Sequence, residues 1–164
     1  MFGLSSDGAP LMAKSSSIIK RPPEDVFGFV GERFFENYPR WSPEVVELMP
    51  LSDGPVGVGT MARQVRVDQG RRSESTFKVS VYQPYRRICF EGVSHPYRCD
   101  YSIEGLNANR ESRLTFEFVL LHLELYMRPF EKLIRVVIQD GAERTVRNLK
   151  RLIEIEAAEC IGGG

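Results

Sequence analysis

Hydrophobic and polar positions along this chain follow two periods, and the places where one gives way to the other divide it into elements. Residues 12–20 can form a first strand. Pro22 and Pro23 end it and pre-set a helix start, with Glu24 and Asp25 favourable in the first turn. Val26, Phe27 and Val30 then give one apolar face to a short helix. Phe34, Phe35, Tyr38 and Trp41 follow in a segment broken by Pro39 and Pro43, where a second short helix should end. From Val45 the period becomes two. Segments 56–68, 73–82, 87–94, 97–105 and 113–123 read as strands separated by Gly, Pro, Asn or charged turns.

In the fourth strand Phe77, Val79 and Val81 share a face opposite Lys78 and Ser80. In the sixth, Tyr97, Cys99, Tyr101 and Ile103 oppose Arg98, Asp100, Ser102 and Glu104. In the seventh, Leu114, Phe116, Phe118, Leu120 and His122 alternate with Arg113, Thr115 and Glu117. Such alternation describes an antiparallel meander with one buried face. Over residues 128–159 the apolar positions return at helical spacing: Phe130, Ile134, Val137, Ile138, Leu149, Leu152 and Ile153. A helix of ~30 residues is ~45 Å long, and strands of ~10–13 residues span ~33–43 Å. A long antiparallel sheet curled around one C-terminal helix satisfies both lengths, which predicts an α+β fold of seven strands with two short helices between strands 1 and 2.

Residues 1–10 read as a loose leader, 161–164 as a frayed tail, and 11–160 as one domain. The 164 residues carry zero formal net charge at neutral pH, so no global field draws the chain to nucleic acid. No apolar run approaches the ~18 residues of a membrane span. The N-terminus lacks a basic start followed by an apolar run, so it does not read as a secretory signal. Three cysteines, Cys89, Cys99 and Cys160, have no metal or redox spacing and imply reduced thiols in a cytoplasmic protein. Alternation sets Cys89 and Cys99 on opposite sheet faces, against a bond between them.

Three stretches carry a family resemblance: Pro-Pro-Glu-Asp-Val-Phe at 22–27, Asn-Tyr-Pro-Arg-Trp at 37–41, and residues 51–60. They resemble the START/Bet v 1-like (SRPBCC) superfamily, most closely its bacterial polyketide cyclase/dehydrase branch, over about residues 15–158. The resemblance implies the helix-grip fold, in which a curved sheet wraps a long helix around a cavity for an apolar ligand. It also places the connector bearing Trp41 near the cavity mouth, where Trp41 would cap a ligand or plug the core.

The inward positions define an apolar lining: Trp41, Phe77, Val79, Phe90, Tyr97, Tyr101, Phe116, Phe118 and His122, with Met127, Phe130, Ile134 and Val137 from the helix. This is the usual profile of a small-molecule site. Catalysis would need a polar dyad inside it. His122 with Tyr101, or Arg63 with Glu91, are the available candidates, imidazole being the group that titrates near neutrality. Arg63 shares a face with Met61 and Val65, and alternation alone leaves open whether that face points inward. His95 falls in an exposed turn, and two histidines so far apart, outside any H-x-x-H pattern, argue against zinc. Gly54, Gly57 and Gly59 lead into a strand rather than a helix, against a phosphate cradle. Gly141 interrupts the long helix, through a kink, a close sheet contact or a ligand approach.

Three functions compete. The first is a carrier or sensor of a hydrophobic small molecule of lipid, polyketide, isoprenoid or quinone type, acting without a cofactor as a monomer or homodimer. The second is a cyclase/aromatase or dehydratase-like enzyme. The third is an interaction module using the outer sheet face or the helix, against which the mostly polar outer positions show no large apolar docking patch.

Overall fold

The computed structural model describes residues 10–162, with side chains to residue 156. Strand β1 (Leu11–Ile19) is followed by α1 (Pro23–Phe27), a π-helical turn (Gly28–Glu32) and α2 (Phe34–Trp41). Strands β2 (Val45–Pro50), β3 (Met61–Asp68), β4 (Arg71–Gln83), β5 (Arg87–Gly92), β6 (Tyr97–Leu106) and β7 (Glu111–Leu120) come next. A 3-10 turn (Leu125–Phe130) leads into α3 (Glu131–Gly162). The sheet runs β1-β7-β6-β5-β4-β3-β2, antiparallel throughout. This is the expected α+β helix-grip arrangement.

Helix α3 buries Ala142, Val146, Leu149 and Ile153 against the inner face, an i, i+4, i+7, i+11 stripe that defines its inward side. It also covers the free edge of β1. The Gln139 amide accepts from the Lys14 N–H at 3.3 Å and donates to the Lys14 carbonyl at 3.0 Å, and Lys150 Nζ donates to the Ile18 carbonyl at 2.5 Å. An edge so occupied cannot template another strand. Gly31 serves packing in the π turn: a Cβ there would lie 2.9 Å from the Phe27 ring.

Several expectations are corrected. Helix α2 does not stop at Pro39 but runs to Trp41, because Phe34, Asn37 and Trp41 on one face are all buried. Strand β3 starts at Met61 rather than Val56, since Gly59 at φ 91° and the Thr60 N–H bond to Gly57 (3.1 Å) form a turn before it. A register shift between Val79 and Val81 moves Val81 to the outer face beside Cys89 and brings Tyr82 inward beside Ile88. Strand β7 ends at Leu120, not Leu123. Its flanking partners there, Leu11 of β1 and Tyr97 of β6, open their strands, so the ladder stops, with the Leu121 N–H donating to the Pro96 carbonyl at 2.7 Å just past it. Helix α3 continues through Gly141 and reaches Gly162, into the expected tail. A Cβ on Gly141 would meet only Arg144, at 4.0 Å, so no close sheet contact requires this glycine. Residues 1–9 of the expected leader lie outside the described residues.

Candidate functional site

The inner face of β4, β5, β6 and β7 is an aromatic floor, and α2 presses a second aromatic layer onto it. Phe34 of α2 stacks on Tyr38 with centroids 4.8 Å apart and lies 4.4 Å from Phe90 of β5. Phe90 meets Phe77 edge-on at 5.6 Å, and Tyr101 lies 4.8 Å from Phe116. Between the layers a void of about 10 Å³ remains, lined by Phe34, Tyr38, Gln64, Phe77, Phe90, Tyr97, Cys99 and Tyr101. That is room for about one water molecule, so in this conformation protein side chains fill the space.

A chain of hydrogen bonds crosses the otherwise apolar lining. Tyr38 donates its hydroxyl to Gln64 Oε1 at 3.0 Å, and Gln64 Nε2 donates to Tyr97 Oη at 3.2 Å and Ser75 Oγ at 3.3 Å. Behind Tyr38, Arg66 Nη1 donates to its oxygen at 3.3 Å and to Ser42 Oγ at 3.2 Å, while Arg66 Nε and Nη2 hold Asp68 at 3.1 Å each. Burial works against the Arg66 cation, but Tyr38, Asp68 and Glu44 outweigh it and keep the guanidinium charged. Deeper in, Trp41 Nε1 donates to Tyr101 Oη at 3.3 Å, both residues being buried.

Burial raises the phenols of Tyr38, Tyr97 and Tyr101 above their ordinary value, and it pushes the Cys99 thiol up to about 12. At neutral pH these groups are uncharged. They can orient a ligand oxygen through hydrogen bonds, and none is poised to take a proton.

The residues read from the sequence divide cleanly. Trp41, Phe77, Val79, Phe90, Tyr97, Tyr101, Phe116 and Phe118 all belong to the inner aromatic core or pack against it. His122 does not: with β7 ended, it sits in the following loop, its side chain 43% exposed and 3.9 Å from Glu124. Arg63 points outward, bonded to Glu74 at 2.5 Å and 3.7 Å from Glu47. Glu91 lies on the outer face as the register partner of Lys78 and Arg98. Neither proposed dyad, His122 with Tyr101 or Arg63 with Glu91, comes together. Ile134 and Met127 are half-buried, whereas Phe130 and Val137 are exposed, because α3 overhangs the sheet before residue 138. His95 is exposed and hydrogen-bonded to Ser94, as its turn position predicted.

Tyr38, Gln64 and Arg66 are the polar residues of this candidate site that the sequence reading missed. On β3 the inner face is Ala62, Gln64 and Arg66, in register with Phe77, Ser75 and Ser73. The alternation was visible, but its phase was not, because two of three inward residues are polar. The Cys89 and Cys99 registers, to Asp100 and Phe90, put the thiols on opposite faces as expected. On the outer face a second depression of about 120 Å³ is lined by Lys14, Arg87, Asp100, Ser102, Thr115 and Glu117. There Arg87 Nε grips both Asp100 oxygens at 3.0 Å, a cross-strand ion pair typical of a solvated sheet face. Among the described residues no group of three His, Cys, Asp or Glu could hold a metal ion.

A curved antiparallel sheet closed by one long helix, with an aromatic interior crossed by a few hydrogen bonds, defines a helix-grip ligand-binding protein. The family model described as "Polyketide cyclase / dehydrase and lipid transport" matches residues 12–154, and the chain belongs to that family within the START/Bet v 1-like superfamily. Solved structures agree on the fold. The Zhui aromatase/cyclase of Streptomyces sp. R1128 superimposes with a TM-score of 0.73 at 12% identity, over 88% of this chain and 94% of that one. A START superfamily protein of Mycobacterium smegmatis gives 0.68 at 16% identity, over 87% and 97%. The di-domain aromatase/cyclase StfQ of the steffimycin pathway gives 0.72 at 11% identity, over 92% of this chain and 52% of that one. No characterised protein sequence matches this chain at a significant level.

Proposed function

We propose that this protein binds and carries a flat, largely aromatic hydrophobic molecule bearing one oxygen function, held between the β4–β7 floor and the aromatic layer of α2. One observation carries the reading. The Tyr38–Gln64–Tyr97 hydrogen-bond chain is set into an interior of stacked rings, which offers one polar anchor among apolar contacts. A drug-sized ligand needs ~300 Å³ or more, so binding requires Phe34 and Tyr38 to withdraw with α2. The π turn before α2 supplies a weak joint, since i→i+5 bonding interrupts the regular helical ladder.

The enzyme alternative, a cyclase/aromatase or dehydratase, is less well supported. It needs an internal proton acceptor near neutrality, and both histidines are exposed while the interior phenols and thiol have raised pKa values. The deciding experiment is native mass spectrometry of the protein purified from its own host, followed by denaturing extraction. A stoichiometric apolar compound that also shifts the emission of Trp41 is the expected result. An empty protein whose Trp41 emission is unmoved by flat phenols, quinones and isoprenoids would overturn the reading.

A further inference from the structure

Helix α2 does to the interior what a bound ligand would do, and Tyr38 shows it most clearly. Phe34 and Tyr38 are the rings that fill the space above the floor, stacked 4.8 Å apart, with Phe34 4.4 Å from Phe90 and 5.9 Å from Phe77. The Tyr38 hydroxyl makes both kinds of hydrogen bond there. It accepts from Arg66 Nη1 at 3.3 Å and donates to Gln64 Oε1 at 3.0 Å. Both partners belong to β3 rather than to α2, and neighbours that stay behind when Tyr38 leaves hold each in place. Gln64 Nε2 gives its protons to Ser75 Oγ and Tyr97 Oη, which turns Oε1 toward Tyr38. Arg66 is gripped through Nε and Nη2 by Asp68 of the same strand, at 3.1 Å each.

Vacated by Tyr38, the seat offers one acceptor and one charged donor at the edge of a slot floored by Phe77 and Phe90. A guanidinium only donates and an amide oxygen only accepts, so a single ligand atom that satisfies both must carry a proton and a lone pair. A hydroxyl does so, and an ether or ketone oxygen does not. A phenol adds the ring that an aromatic floor packs against. We propose, on the aromatic-ligand reading above, that this seat binds the hydroxyl of a flat, neutral phenol and that Tyr38 is its built-in competitor, closing the site when no phenol is present. Burial raises the Tyr38 phenol above its ordinary value despite the guanidinium beside it, so the seat holds its present occupant in the neutral form. The two roles open to Tyr38 differ in sign. If Tyr38 gripped the ligand, removal of its hydroxyl would weaken binding. Removal of a competitor does the opposite, because apparent affinity scales with the fraction of the protein in its open, binding-competent form.

The test is calorimetric titration of the full chain at neutral pH with naphthol, methoxynaphthalene and naphthalene, which share two fused rings and carry a hydroxyl, a capped oxygen and no oxygen. Naphthol should bind about tenfold more tightly than methoxynaphthalene, since only its proton satisfies Gln64 Oε1. Tyr38→Phe should bind all three about fivefold to tenfold more tightly, the worth of a net hydrogen bond lost from the closed form, and should keep the naphthol preference. Gln64→Leu should bring the ratio of naphthol to methoxynaphthalene affinity close to one. That ratio compares two ligands on the same protein, so a general loss of stability in the variant cancels. Absence of a naphthol preference, a preference that survives in Gln64→Leu, or weaker naphthol binding by Tyr38→Phe would each overturn the proposal while leaving the carrier reading in place. Failure of all three compounds to bind either the natural chain or Tyr38→Phe would overturn both.

Discussion

Gln64 sits between two phenols and gives each what it lacks, an acceptor for Tyr38 and a donor for Tyr97. Replacing it with leucine keeps the volume but leaves the Tyr38 hydroxyl without its acceptor in a buried place, a loss of about 1–3 kcal/mol in a denaturant titration. The same change should weaken an oxygen-bearing ligand more than its deoxy analogue, as measured by Trp41 fluorescence. Cys99 invites a second test. Its thiol is raised to about 12 and that of Cys89 is also raised, both by burial, so at pH 8 almost no thiolate exists at either. In a Cys160→Ser background the buried Cys89 should react with a disulfide reagent only as fast as the chain unfolds, and the half-buried Cys99 as fast as the interior opens. Immediate labelling of Cys99 in buffer would show that the interior opens readily.

Among the elements, α3 carries a residue that does not help it. Gly141 sits in the helix with open space where a Cβ would go, so Gly141→Ala should stabilise by roughly 0.5–1 kcal/mol and raise the melting temperature. Gly31 is the opposite case. Its substitution by alanine drives a methyl into the Phe27 ring 2.9 Å away, and a destabilisation of about 1–3 kcal/mol is expected from equilibrium unfolding. At this scale the chain was largely legible. Period-two patterning located the strands and period-3.6 patterning the long helix, because burial on one face is a local property of sequence. Element ends were less legible. The stop of β7 at Leu120 depends on where β1 and β6 begin, more than twenty residues away in the chain, and that stop removes His122 from the interior. The shift at Val81 likewise depends on pairing with β5.

Across the whole molecule, Glu44 ties the layers together. Just before β2 it accepts from Arg144 of α3 at 2.6 Å and lies 4.0 Å from Arg66 of β3. Burial alone would raise its carboxyl, but the Arg144 hydrogen bond and both cations outweigh that and hold it below the ordinary 4.5. A depressed carboxyl stabilises the fold above its unfolded value, and that contribution fades as the pH falls through 4.5 and below. Glu44→Gln should therefore flatten the acid limb of a stability–pH profile and leave the alkaline limb alone. By itself the sequence determined the α+β class, the strand count, the long C-terminal helix, the separation of Cys89 from Cys99 and the aromatic character of the interior. Each is written in the spacing of apolar residues and needs no knowledge of partners. Tertiary structure alone decided which face of β3 turns inward, and so the hydrogen bonds of Gln64 and Arg66 to Tyr38. It also decided how far α2 fills the interior, and that the first turns of α3 overhang the sheet with an apolar back exposed. Those outcomes follow from which surfaces meet across the fold, and pairing over such distances is set by packing rather than by local pattern.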